Sequence, residues 1–228
     1  MVKKTSLLDY INESLLDDED VLMKDTSNEV IKNEILKFLK ENYFRSAKFK
    51  ISKKPINGKY IVDCTTSLEV ENRNITSLTN KYFVFGVVNG YFYCFDCKSL
   101  TSLKGAPKKV GGNFNCSYCE SLTSLKGAPE KVGGSFSCSY CNSLTSLKGA
   151  PKEVGGSFYC FNCNSLTSLE DAPKKVGRDF KCYDCKSLTS LKGAPEKVGR
   201  DFNCRNCKIQ FTVDDVKKVS KVKGEIFY

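Results

Sequence analysis

The sequence predicts a mainly β protein: a β-solenoid of 22-residue coils, with a small α+β cap before it and a short helix and strand closing it. Three observations carry this. A Cys-x-x-Cys pair occurs six times, with first cysteines at Cys94, Cys116, Cys138, Cys160, Cys182 and Cys204, and each step is 22 residues without insertion. Each pair sits in one longer phrase, Phe-x-Cys-x-x-Cys-x-Ser-Leu-Thr-Ser-Leu-x-x-Ala-Pro-x-x-Val-Gly, and the sixth copy breaks off after its cysteines. A fixed period of this length marks stacked repeats, because one unit cannot bury its apolar face alone.

The elements follow in order. Residues 1–27 turn acidic after the first few positions, and Leu7, Leu8, Ile11, Leu15 and Leu16 recur at helical spacing, so a short amphipathic helix and a mobile linker are expected. Residues 28–90 form the N-terminal cap. Ser27 is a candidate helix N-cap, and Ile31, Ile35, Phe38 and Leu39 mark one apolar face. Phe49 and Ile51 alternate with Lys48 and Lys50 as in a strand, Asn57-Gly58 signals a hairpin, and Tyr60 to Val62 begin the return. Residues 65–90 read as a degenerate leading coil without a cysteine pair, since Asn74 to Leu78 anticipate Ser-Leu-Thr-Ser-Leu. Residues 91–208 are the six-coil array, and 209–228 are a C-terminal cap. There Thr212 and Asp215 form a capping box, Gly224 is expected to end the helix, and Glu225 to Tyr228 form a closing strand.

Within a coil, Phe114 and Cys116 lie two apart and share one side of a strand. Stacked at about 4.8 Å, the equivalent phenylalanines become an internal ladder. Leu122, Leu125 and their counterparts make a second apolar wall, and Gly-Ala-Pro and Val-Gly supply corners.

Composition narrows the chemistry. The chain has 228 residues, a net charge of +10, 13 cysteines, and neither histidine nor tryptophan. Without histidine there is no ordinary hydrolytic triad, and no enzyme activity is expected. No apolar run is long enough to span a bilayer, and the N-terminal stretch is interrupted by Asp9, Asn12 and Glu13 before any cleavage site. A cytoplasmic protein with reduced thiols is expected, where paired cysteines point to metal before disulfides. A thiol oxidoreductase is disfavoured, because its Cys-x-x-Cys needs a helix N-terminus and these pairs follow a strand. Cys64 has no partner in the pattern and reads as a buried strand residue.

Two adjacent coils read Cys-x2-Cys-x18-Cys-x2-Cys, a four-thiolate pattern. Taken two by two, the coils group Cys94, Cys97, Cys116 and Cys119; then Cys138, Cys141, Cys160 and Cys163; then Cys182, Cys185, Cys204 and Cys207. Four thiolates suit zinc or an iron–sulfur cluster. All twelve positions stay cysteine while the residues between them vary, which favours metal; the equally invariant Ser-Leu-Thr-Ser-Leu keeps a structural reading open. Each of the first five pairs also encloses an aromatic, Phe95, Tyr118, Tyr140, Phe161 or Tyr183, which could keep water from a cluster.

The repeat resembles leucine-rich repeats of the degenerate Leu-Thr-Ser-Leu-x-Gly-Ala-Pro type common in phage-encoded proteins, over roughly 65–208. In that family the place of Cys97, Cys119, Cys141, Cys163, Cys185 and Cys207 is usually asparagine or cysteine in a buried hydrogen-bonded ladder. The tandem Cys-x-x-Cys coils and capped ends are further similar to gut-phage β-solenoids proposed to hold rows of [4Fe–4S] clusters. That resemblance implies three cubanes about 10 Å apart, for electron transfer or storage in the host cytosol. Zinc, or a metal-free cysteine ladder in a protein-binding solenoid, is the alternative.

The expected partner is a redox protein or another protein, with the chain a monomer or associating end to end. Lysines such as Lys104, Lys126 and Lys148 recur on the corners and are expected to balance buried anions, dock an acidic partner or keep an ordered edge soluble. Residues 44–60 hold Arg45, Lys48, Lys50, Lys53, Lys54 and Lys59 with no acid, but no recognised nucleic-acid motif, so no nucleic-acid partner is expected.

Overall fold

Two parallel stacks of very short strands face each other across a strip of phenylalanine, valine, leucine and cysteine. The computed structural model describes residues 25–43 and 47–228. The amphipathic helix expected around Leu7 to Leu16 lies outside the described residues, as does the linker after it up to residue 24.

Among the described residues the first elements are α1 (Asp25–Asn42), β1 (Phe49–Ile51), β2 (Tyr60–Cys64), β3 (Leu68–Glu69), β4 (Phe83–Val88) and β5 (Phe92–Tyr93). Five repeats of a strand pair follow: β6 (Lys109–Val110) and β7 (Phe114–Asn115), β8 (Lys131–Val132) and β9 (Phe136–Ser137), β10 (Glu153–Val154) and β11 (Phe158–Tyr159), β12 (Lys175–Val176) and β13 (Phe180–Lys181), β14 (Lys197–Val198) and β15 (Phe202–Asn203). The chain closes with α2 (Val213–Val219), β16 (Lys221–Val222) and β17 (Ile226–Phe227). The nine-stranded sheet runs β1-β2-β4-β6-β8-β10-β12-β14-β16, and the eight-stranded sheet β17-β15-β13-β11-β9-β7-β5-β3. Each coil gives one strand to each sheet, and all pairings are parallel except the β1–β2 hairpin. That hairpin turns at Asn57 and Gly58, both at positive φ.

The phenylalanine ladder forms as the period requires. Phe92, Phe114, Phe136, Phe158, Phe180 and Phe202 are fully buried, and successive ring centroids lie 5.3, 5.0, 5.2, 5.7 and 5.1 Å apart. Opposite them, Val88, Val110, Val132, Val154, Val176 and Val198 make a second buried column. The first glycine after each valine is dictated by close approach: a Cβ on Gly155 would lie 2.2 Å from the Gly133 carbonyl oxygen.

The ends depart from the period in instructive ways. The leading coil starts earlier than residue 65, because β2 already pairs with β4 and sets Cys64 opposite Val88. Cys64 therefore occupies the valine column and is buried. Helix α1 starts at Asp25, two residues before the expected cap at Ser27, and buries Ile35 and Leu39. At its end Tyr43 packs edge-on to Phe85 at 5.4 Å and tilts over Phe92 at 6.4 Å, which closes the ladder. At the other terminus, the Thr212 and Asp215 capping box starts α2. The helix ends at Val219 with Ser220 as C-cap, not at Gly224, because the chain must re-enter the stack as β16 beside β14. Strands β16 and β17 thereby complete a further coil. No helix among the described residues is long and apolar enough to cross a membrane.

Candidate functional site

Each Cys-x-x-Cys segment leaves a strand of the eight-stranded sheet, turns, and enters the Ser-Leu-Thr-Ser-Leu stretch. The second intervening residue has positive φ in every copy: Asp96 57°, Tyr118 60°, Tyr140 60°, Asn162 55°, Asp184 56° and Asn206 54°. Asn and Asp tolerate this left-handed conformation; a bulky tyrosine does so only under constraint. The turn brings the second cysteine back to the interior side. Sequence reading missed it, although Asn or Asp at four of six equivalent positions was its available signal.

Both cysteines of each pair face the core. Eleven of the twelve are buried, and Cys207, in the last pair, is partly exposed. All thirteen cysteines carry free thiols. The second thiol donates to the carbonyl oxygen of the first cysteine in the preceding coil. The contacts are Cys119 to Cys94 at 3.1 Å, and Cys141 to Cys116, Cys163 to Cys138, Cys185 to Cys160 and Cys207 to Cys182, each at 3.2 Å. Several first thiols reach the other way, Cys116 to the Ser137 carbonyl at 3.3 Å and Cys138 to the Tyr159 carbonyl at 3.5 Å. The sulfurs thus stitch coils together in both directions.

Burial is the main electrostatic influence. It pushes the Cys94, Cys116, Cys138, Cys160 and Cys182 thiols well above the ordinary range, with neighbouring thiols adding to the effect. Cys204, nearer the end, is pushed up to about 12, first by burial. Cys97 goes the other way, because the neighbouring Cys119 thiol and then the Arg73 guanidinium favour its charged form against the effect of burial. Most of these groups are held as neutral thiols, the form that can donate.

The ends of the array show what the two positions accept. Leu68 is in register with Phe92, so Val70 stands where the first cysteine would be and Arg73 where the second would be. Val70 is fully buried. Arg73 donates to the Phe95 carbonyl at 2.9 Å and lies 4.1 Å over the Phe95 ring. A small apolar residue fills the first place, and a hydrogen-bond donor fills the second.

The twelve thiols suit a four-thiolate metal site in donor type and number. Among the described residues no three Cys, His, Asp or Glu side chains gather in a geometry that could hold a metal ion. Ligation requires thiolates, whereas the second cysteines act as donors. Grouping the coils two by two also predicts alternation. The Cys141–Cys116 and Cys185–Cys160 contacts cross between groups, and at 3.2 Å they match the contacts within groups. Within the expected groups the Cys119 thiol influences the ionisation of Cys97, and the Cys163 thiol that of Cys138.

The aromatics between the cysteines lie outside, over the turns. Tyr118 stacks on Tyr140 at 4.5 Å, and Phe161 stacks on Tyr183 at 4.6 Å. Tyr118 is 47% exposed. The pairs follow a strand and precede a turn, not a helix, so the activating environment of a thiol oxidoreductase is missing at them. No protein-family model, curated protein or solved structure matches this chain.

Proposed function

We propose that this chain is a binding repeat solenoid, a stiff rod whose coils are joined by a ladder of protonated cysteines and whose outer faces engage a macromolecular partner. The observation that carries the reading is the uninterrupted series of thiol-to-carbonyl contacts at 3.1–3.2 Å between successive coils. Each one uses a thiol proton that a metal would displace. A sulfhydryl in the second place supplies one donor per coil, as the asparagine of other repeats would. In the first place it is a small apolar filler, as Val70 is.

A second reading keeps the twelve thiols as ligands of three [4Fe–4S] clusters, or of zinc, with electron transfer or storage as the role of the iron form. It is favoured by twelve positions that all stay cysteine while the residues between them vary, and by the burial of eleven of these thiols on the interior side of successive coils. The resemblance to solenoids proposed to hold such clusters points the same way.

Metal content and a visible spectrum, taken on protein purified without oxygen, separate the two. The ladder predicts a colourless protein with no stoichiometric metal and a circular dichroism spectrum unchanged by chelator. About twelve irons with matching sulfide and a visible band, or about three zincs, would overturn it.

A further inference from the structure

The array's charge is gathered on one side. The five stretches 104–112, 126–134, 148–156, 170–178 and 192–200 cover the Gly-Ala-Pro corner and the strand after it, and carry 13 Lys and Arg against 5 acids. The rest of 91–208 carries 5 of each sign. The whole basic excess of the array therefore lies on the nine-stranded sheet and its flanking corners.

The register sharpens this. Lys109 stands opposite Lys131, Lys175 opposite Lys197, and Lys197 opposite Lys221, all exposed, with Glu153 the one acid in the row. Like charges directly opposite in a sheet are destabilising. Lysine is a usual guard of sheet edges, but β6 to β14 are interior strands, so that role does not account for the row. The outward row of the other sheet, Asn115, Ser137, Tyr159, Lys181 and Asn203, has a single charge. Two lysines of the basic side are neutralised by contact with acids, Lys174 with Glu196 and Lys192 with Glu170.

From this juxtaposition we infer that the nine-stranded face binds a nucleic-acid duplex through its phosphate backbone, without reading sequence. The row from Lys109 to Lys221 spans five strand steps, about 24 Å. That matches about seven base pairs of duplex. Regular charge spacing along the stack complements a phosphodiester backbone, itself a regular linear polyanion. The side-chain stacks that could receive unpaired bases, such as Tyr118 on Tyr140, lie over the cysteine turns and away from this face. That favours duplex over single strand. The inference does not depend on the state of the cysteines.

The test is fluorescence anisotropy of a labelled duplex of about 20 base pairs with the full chain, between about 50 and 200 mM salt. Wild type is expected to bind with micromolar affinity at the low-salt end, with log affinity falling steeply against log salt. The triple variant Lys109→Glu, Lys131→Glu, Lys175→Glu should lose at least about thirtyfold in affinity and flatten the salt slope by about 3. The triple variant Lys98→Glu, Lys186→Glu, Lys208→Glu makes the same net-charge change off the face and should change affinity by less than about threefold. If the first variant does not fold, judged by circular dichroism, the same three lysines changed to Gln should show a smaller loss in the same direction. Absence of wild-type binding at low salt, or equal loss in both triple variants, overturns the inference. Displacement of the duplex by poly-glutamate equally well per charge would reassign the face to an acidic protein and overturn it too.

Discussion

The Cys141 thiol donates to the carbonyl oxygen of Cys116 at 3.2 Å, and so joins two coils that a pairwise metal grouping would separate. The same distance recurs between Cys163 and Cys138, which that grouping would unite. A stack held by discrete centres would differ at alternate steps. This one repeats the same contact at each, and the phenylalanine rings beside it, 5.0 to 5.7 Å apart, show no two-coil rhythm either.

Substitution at Cys141 should separate donor from ligand. Cys141→Ala removes the donor and leaves a small void, and should cost about 1–3 kcal/mol in urea denaturation. Cys141→Ser keeps a donor aimed at the Cys116 carbonyl and should cost less than the alanine variant. Equal, large losses for both would mean that sulfur itself is needed, as in a metal site.

The pH dependence has a definite sign. Burial raises most of these thiols above the unfolded value, so their contribution to stability is complete below that value, about 8.5. It is lost as pH rises through the folded values, about 12 for Cys204, with the Cys94, Cys116 and Cys182 thiols also held up by burial. From the raised thiols, the melting temperature should therefore decline from about pH 8.5 upward, with no loss from them between about pH 7.5 and 5.5. A metal–thiolate structure would fail in the opposite direction, as acid protonates its ligands.

Gly155 tests the corner. Its φ is not positive, so no backbone strain is at stake, but a Cβ would sit 2.2 Å from the Gly133 carbonyl oxygen. Gly155→Ala should force the two coils apart and cost about 1–3 kcal/mol, measured by thermal melting. An unchanged melting temperature would mean that the coils slide freely at this corner.

Tyr118 and Tyr140 hold left-handed backbone where other copies have Asn or Asp. Tyr118→Asn relieves that conformation, worth about 1–3 kcal/mol. It also removes a ring stack worth about 0.5–1.5 kcal/mol. The variant should be as stable as wild type or slightly more so; a loss above about 2 kcal/mol in denaturant would make the stack a structural necessity.

Much of this architecture was legible before any coordinates. The 22-residue period dictated the stacking, and Phe at two residues before Cys dictated the ladder, since strand alternation leaves no other side for it. The capping box at Thr212 and the turn at Asn57-Gly58 were local and therefore readable. The closing coil was not. Helix α2 and its C-cap stand where the preceding coil has Leu191 to Glu196, the Gly-Ala-Pro corner, and they are two residues longer, so Lys221 pairs with Lys197 at a spacing of 24 rather than 22. The role of the cysteines was ambiguous for a physical reason: Cys-x-x-Cys spacing places two thiols on the interior side whether they meet a metal or a carbonyl. The proposed ladder rests on the direction of each thiol and on Val70 and Arg73 at the equivalent leading positions, which only the three-dimensional register brings into view.

The central claim is that the thiols are protonated donors to backbone carbonyls, and the most direct measurement is the sulfhydryl stretch in the infrared spectrum of the folded protein, prepared without oxygen and recorded beside its unfolded form. The account predicts a strong sulfhydryl band in the native protein, shifted to lower frequency than in the unfolded chain by the carbonyl contacts and unaffected by chelator. A native spectrum nearly lacking that band, which returns only when acid unfolds the protein and releases metal, would contradict it.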